Sequence, residues 1–195
     1  MSPTDDVLAS LRKKWPSTLP LVSGPLSQDA PTPTAKHAAV GLILLPAPPA
    51  QPSPIILIRR SQKVTTHKGQ IAFPGGLAET QDDGILATVK REVFEEIGLA
   101  PQSLHCHGYF PPIKGLLGLT VYCVLLTAGA TVPEFRLCPD EVDAVILAPW
   151  DDFTASKSRA PDIFGGSYMT TGNTHVWGLT AKMLAQADLR PVAGE

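Results

Sequence analysis

Residues 75–99, GGLAETQDDGILATVKREVFEEIGL, restrict the possible folds more than any other part of the chain. A Gly-Gly pair opens the stretch, and Gly98 stands near its end, where a left-handed residue commonly closes a helix. Between them Leu86, Val93 and Ile97 recur at helical spacing, so a helix over Gly84–Ile97 is expected to bury an apolar stripe against a sheet. Glu92, Glu95 and Glu96 stand at i, i+3 and i+4. At about 3.6 residues per turn those side chains share one face beside the stripe. Arg91 precedes Glu95 by four residues and is spaced to pair with it along the helix.

Three carboxylates on one face repel one another, and no lysine is interleaved among them. Two readings account for such a cluster. One is a solvated acidic face, which the three glutamates alone support equally well. The other is a site for a hard divalent cation, Mg²⁺ or Mn²⁺, which favours oxygen ligands and removes the repulsion. The Gly-Gly turn ahead of the helix and the pairing of Arg91 favour the cation site.

At 195 residues, 44% hydrophobic and 17% charged, the chain has material for one compact domain with a substantial core. Strands rich in aliphatic and β-branched residues are expected at His37–Leu45, Ile55–Arg59, Gln70–Phe73, Leu104–Phe110, Leu119–Thr127 and Val142–Leu147. The segment PAPPAQPSP sustains neither helix nor ladder, because proline lacks the backbone donor, and reads as a surface loop between neighbouring strands. A closing helix is expected over His175–Gln186, with Val176, Leu179 and Met183 on one face. This order predicts an α/β fold, an α/β/α sandwich with a mixed β-sheet covered on both sides. The domain is expected over residues 36–190. Residues 1–35 read as a short amphipathic helix, Asp5–Trp15 capped by Thr4, followed by a linker rich in Pro, Ser and Thr. That segment packs on the domain or binds a partner helix, and packing is the simpler reading.

A net charge of −2 argues against bulk electrostatic affinity for nucleic acid. Cys106, Cys123 and Cys138 are odd in number and form no C-x-x-C pair, which points to reduced thiols and a cytoplasmic location rather than a disulfide framework or structural zinc. No apolar run reaches the roughly 18 residues of a membrane span, so no membrane partner is expected. The start, MSPTDDVLAS, lacks the basic region and apolar core of a signal peptide.

The helix and its approach resemble the Nudix box, G-x5-E-x7-R-E-U-x-E-E-x-G-U with U a bulky aliphatic residue. The matching residues are Gly76, Arg91, Glu92, Val93, Glu95, Glu96, Gly98 and Leu99. Gly76 and Arg91 are one residue further apart than in the pattern, and Asp82 or Asp83 replaces the early glutamate. Upstream, ILIRRSQKVTTHKGQIAFPGG is similar to the signature of the coenzyme A pyrophosphatase branch, in which the longer box is also common. It matches through Arg60, Ser61, His67, Gly69, Gln70, Ala72, Phe73, Pro74, Gly75 and Gly76. Thr65 and Ile58 depart from it, standing where members often carry arginine and threonine. After the box, PPIKGLLGLTVYCVLL lacks the polar turn expected before its strand, while HVWGLTAKML resembles the branch's closing helix.

The resemblance implies a metal-dependent hydrolase acting on a nucleoside diphosphate linked to another moiety. Glu92, Glu95, Glu96 and the Gly75 carbonyl would hold Mg²⁺ or Mn²⁺, and Arg91, Glu92 and Glu95 would form the catalytic set, with Arg91 orienting the carboxylates. Glu92 is the first candidate to accept a proton from water, and Glu141 the second. The implied substrate is coenzyme A or its acyl esters, cleaved to 3′,5′-ADP and 4′-phosphopantetheine. Arg60, His67 and Lys68 are the candidate substrate-binding residues. They belong to a basic set with Arg59 and Lys63 that either meets the 3′-phosphate or is an ordinary solvated loop. Two alternatives stay open: a Nudix enzyme for ADP-ribose or another nucleoside diphosphate derivative, and a Nudix-fold binding module without catalysis. A homodimer also stays open.

His105 and His107 alternate on an expected strand with no third ligand near in sequence, and read as edge-strand residues. Cys123 reads as a small core residue. Trp150 and Trp177 read as core or lid packing, with Tyr168 and His175 in the same C-terminal segment.

Overall fold

The computed structural model describes Thr4, Asp5, Ala9 and residues 36–48, 51–115, 118–129, 132–154, 159–160 and 166–187. Alternation along three strands decides the architecture. In β1 (His37–Leu44), Ala38, Leu42 and Leu44 face one buried cluster while Ala39 and Ile43 face another. β2 (Pro54–Arg60) divides Ile55 and Leu57 from Ile56 and Ile58, and β7 (Thr120–Ala128) divides Val121, Cys123 and Leu125 from Tyr122, Val124 and Leu126. A strand apolar on both faces belongs to a sheet covered on both sides. One cover is α1 (Ile85–Ile97). The other is built from α3 (Gly178–Ala187) together with Trp150, Phe153 and Tyr168. The α/β/α sandwich expected from the sequence is observed.

The sheet is mixed. β1 runs parallel to β7 from His37↔Thr120 to Leu44↔Thr127. It also pairs antiparallel with β4 (Gly75–Leu77) and, at Leu44↔Ile55, with β2. β2 carries β3 (Ile71–Ala72) and β8 (Val142–Pro149), and β7 carries β5 (Leu104–Tyr109) and β6 (Ile113–Lys114). A separate small sheet joins β9 (Arg159–Ala160), β10 (Ser167–Met169) and β11 (His175–Val176), with the short helix α2 (Asp151–Thr154) close to it in sequence.

Two expectations need correction. The closing helix does not begin at His175. His175 and Val176 pair with Met169 and Tyr168, and helix starts only at Gly178, whose φ of 65° interrupts regular structure. Pairing with β10 in a hairpin overrides the helical spacing of Val176. The Gly75-Gly76 pair, expected as a turn ahead of the helix, is instead the first two residues of β4. The expected helix Asp5–Trp15 and its linker lie outside the described residues apart from Asp5 and Ala9. Thr4, expected as the cap, is itself helical, and its hydroxyl bonds Leu45 O at 3.3 Å and Ser53 Oγ at 2.8 Å.

Candidate active site

The two glycines ahead of the helix are required for different reasons. Gly75 has φ 144°, and a Cβ there would lie 2.2 Å from Ala39 O, inside the β1–β4 ladder. A Cβ on Gly76 would lie 2.5 Å from Glu92 Cδ. The first glycine lets the strands approach; the second leaves room for a carboxylate.

Ile85, Val89, Val93 and Ile97 recur every four residues and are buried, with Leu86 packed beside them. This register is what aims Glu92 and Glu96 inward toward β4 and turns Glu95 outward. The side chains are 15%, 2% and 51% exposed respectively. Gly98 closes the helix in left-handed conformation, its N–H donating to Phe94 O at 2.9 Å. Beyond it the carbonyls of Ile97 and Glu96 accept from the N–H groups of Arg136 and Cys138, both at 2.9 Å. Helix-end acceptors are thereby satisfied, and the loop that satisfies them leads to Glu141.

Arg91 is the hub of the acidic side. Its Nε and Nη2 fork onto Asp82 Oδ1 and Oδ2 at 2.9 and 3.0 Å, and Nη2 also donates to Leu77 O at 3.0 Å. Nη1 reaches Glu92 Oε1 at 3.0 Å and Glu95 Oε2 at 2.9 Å. The expected i, i+4 pair with Glu95 is present, yet the bidentate partner is Asp82, 4% exposed. The hydrogen bond from Arg91 holds the Asp82 carboxyl down at about 2, and the same bond holds the guanidinium above its ordinary range. Of the two aspartates that stand in for the early glutamate, the structure selects Asp82.

Glu96 is the most buried charged group of the site. Desolvation pushes its carboxyl up to about 8, against the opposing N–H of Gly75, which donates to Oε2 at 2.8 Å. Burial raises Glu92 as well, and the charge of Glu141 adds repulsion to both. Arg60 Nη1 lies 3.8 Å from Glu96 Oε1, and its Nε is buried without a hydrogen-bond partner. Two desolvated carboxylates with a cation to spare on one side only are a donor set that a hard dication fits, since every available ligand is oxygen. Among the described residues no three His, Cys, Asp or Glu side chains are placed to hold an ion together as they stand. Glu95 is turned to Arg91 and Glu96 to Gly75.

The basic residues upstream divide. Ser61 is buried and serves the loop: its N–H donates to Glu141 O at 2.8 Å and its hydroxyl accepts from the N–H of Lys63 at 3.2 Å. Lys63 pairs with Asp140 at 2.9 Å on the surface. His67, at φ 59°, is exposed and pairs its Nδ1 with Gln70 Oε1 at 3.0 Å. Lys68 instead lines an open cleft of about 380 Å³ with Arg59, Gln70, Asn173, His175 and Trp177. That cleft escaped the sequence reading because its two walls are a hundred residues apart. His105 is exposed, His107 Nε2 bonds Thr127 Oγ1 at 2.9 Å, and Cys123 is buried with its thiol pushed up to about 12. Trp150 is core, and Trp177 is a half-buried cleft residue.

Residues 35–164 match the family profile described as NUDIX domain. The Nudix hydrolase NudL of Salmonella paratyphi B, described as uncharacterized, is 30% identical over 153 residues, covering 72% of this chain and 77% of that protein. A MutT/nudix family protein from Enterococcus faecalis has the same fold, with a TM-score of 0.54 at 15% identity over 96% of this chain and 73% of the other. RenU, a Nudix hydrolase from M. Smegmatis, gives 0.50 at 18% identity over 60% and 71%. The family profile and the curated relative agree with the glycine-framed helix and its buried glutamates: the chain belongs to the Nudix hydrolase family, pyrophosphatases that act on phosphorus-containing anhydrides and generally use divalent metal ions.

Proposed function

We propose that the substrate is coenzyme A or an acyl-CoA, hydrolysed at its diphosphate to 3′,5′-ADP and (acyl-)4′-phosphopantetheine with Mg²⁺ or Mn²⁺. The observation that carries this reading is the meeting of two motifs. The segment that resembles the coenzyme A branch brings Arg60 to 3.8 Å from Glu96 and delivers Gly75 and Gly76 against Glu96 and Glu92. Glu92, Glu95, Glu96 and the carbonyl of Gly75 would hold the metal. The bound dication supplies charge neutralisation on the diphosphate and a lowered pKa for the attacking water. Arg91, held by Asp82, fixes the orientation of Glu92 and Glu95. Arg60 offers its unpartnered Nε–H to a diphosphate oxygen. Glu92 accepts the water's proton, with Glu141 as the second candidate. Water oxygen bonds to one phosphorus as the bridging P–O bond breaks, and the departing phosphate leaves with the bridging oxygen. His67 holds Gln70, and Lys68 serves the substrate from the cleft. The free thiols of Cys106, Cys123 and Cys138 support a cytoplasmic setting.

Product analysis tests this. With coenzyme A and Mg²⁺ or Mn²⁺, 3′,5′-ADP and 4′-phosphopantetheine are expected in equal amounts. Faster turnover of ADP-ribose would replace the substrate, and metal binding without hydrolysis of any diphosphate would favour a binding module.

A further inference from the structure

The cleft beside the acidic site is built, not incidental. Among the described residues its lining carries Arg59 and Lys68 and no acidic residue. Its far wall is the β10–β11 hairpin, whose tip is tied by Thr170 N–H to Thr174 O at 3.0 Å, Asn173 N–H to Thr170 O at 2.8 Å and Thr174 N–H to Thr170 Oγ1 at 3.0 Å. Asp152 anchors the same tip by accepting from Thr171 N–H at 2.9 Å. Asn173 (φ 59°) and His175 line the cleft from this wall, and Trp177 follows them.

The near wall connects the cleft to the carboxylates. Consecutive strand residues face opposite sides of a sheet, and the two arginines accordingly serve different places: Arg59 lines the cleft, Arg60 reaches Glu96. Their Cα atoms are about 3.8 Å apart, as any trans neighbours are. Ile71, which lines the cleft, is four residues from Gly75, no more than about 14 Å along an extended chain.

We propose that this cleft receives the 3′-phosphorylated nucleoside end of the substrate. Arg59 and Lys68 pair with the phosphomonoester, Gln70 and Asn173 meet the sugar or base edge, and Trp177 offers its ring to the base. The inference rests on the coenzyme A reading above for its substrate, and it removes Lys63 and His67 from the phosphate-binding set that their position in sequence suggested. Lys63 is paired to Asp140, and His67 to Gln70.

Two measurements on wild type and an Arg59→Gln/Lys68→Gln double variant, both checked for unchanged thermal unfolding, separate the cleft from the substrate assignment. Calorimetric titration of the metal-free proteins with 3′,5′-ADP is expected to show binding at least tenfold weaker in the variant, with the wild type preferring 3′,5′-ADP to 5′-AMP. Equal binding of 3′,5′-ADP by both proteins overturns the cleft. The ratio of kcat/KM for coenzyme A over dephospho-coenzyme A is expected to fall toward one in the variant. If wild type prefers coenzyme A and the variant keeps that preference, the cleft is wrong while the substrate stands. If neither compound is hydrolysed by wild type, the substrate is wrong, and the titration still decides whether the cleft binds a phosphorylated nucleoside. A Trp177→Leu variant that binds 3′,5′-ADP as tightly as wild type removes the stacking role.

Discussion

The carboxylate pocket and the basic cleft lie on either side of one short stretch of strand, and they are constructed in opposite ways. In the pocket, Glu92, Glu96 and Asp82 are largely buried, and one guanidinium is fully committed: Arg91 serves Asp82, Glu92, Glu95 and the Leu77 carbonyl. In the cleft, Arg59 and Lys68 are exposed, and order resides in the hairpin backbone opposite them. Buried ion pairs cost desolvation and lose much when one partner is removed, whereas exposed cations are inexpensive to keep and are screened by salt. Substitutions in the pocket are therefore expected to alter turnover or folding, and substitutions in the cleft to alter affinity.

The largest effect separates the two regions most clearly. Glu96→Gln is expected to lower kcat by about 10²- to 10³-fold, a loss of metal-dependent stabilisation of the order seen when one transition-state charge contact is removed. Metal-free stability near neutral pH is expected to hold, because the amide oxygen still accepts from Gly75 N–H and the amide replaces a carboxyl that is neutral below about 8. Activity that survives this change would mean the metal has been placed on the wrong residues.

The glycines sharpen the comparison next. Gly76→Ala would drive a methyl into the Glu92 carboxylate, a side chain able to swing aside, so a loss of roughly tenfold or more in kcat is expected with modest change in melting temperature. Gly75→Ala would drive it into Ala39 O and Val40 Cα, which cannot move without breaking the ladder, and is expected to cost about 3 kcal/mol or more of stability. Denaturant unfolding of both variants beside turnover distinguishes them; equal loss of stability would show that Glu92 is as rigid as backbone.

The smallest effect is titration of the metal-free protein. Glu96, raised to about 8 from the ordinary 4.5 of a glutamate, keeps its proton in the folded state where the unfolded chain has released it. Stability from this group is complete below about pH 4.5 and is lost as pH rises through 8. Asp82 has the opposite sign: its contribution is present above 3.8 and is lost as pH falls through about 2. The melting temperature is expected to fall by on the order of 5 °C between pH 5 and pH 9, and added Mg²⁺ or Mn²⁺ to recover it. A flat profile without metal would remove Glu96 as the dominant buried acid.

Much of this organisation was legible in the linear chain because it depends on local periods. The alternation of β1, β2 and β7, the helix through Ile97 and its left-handed stop at Gly98 follow from spacing and backbone preference, and they stand where expected within one or two residues. The spacing also brings Glu92, Glu95 and Glu96 close along one helix, without deciding which of them is buried.

Tertiary structure decided what spacing leaves degenerate. Asp82 rather than Asp83 meets Arg91 because the loop after β4 folds back over the helix. Glu95 parts from Glu92 and Glu96 because Val89, Val93 and Ile97 choose which side of the helix is buried. His175 and Val176 became strand because β10 was there to pair with them. Each of these outcomes turns on packing or pairing that a local period does not specify, and those are supplied only when the domain has closed.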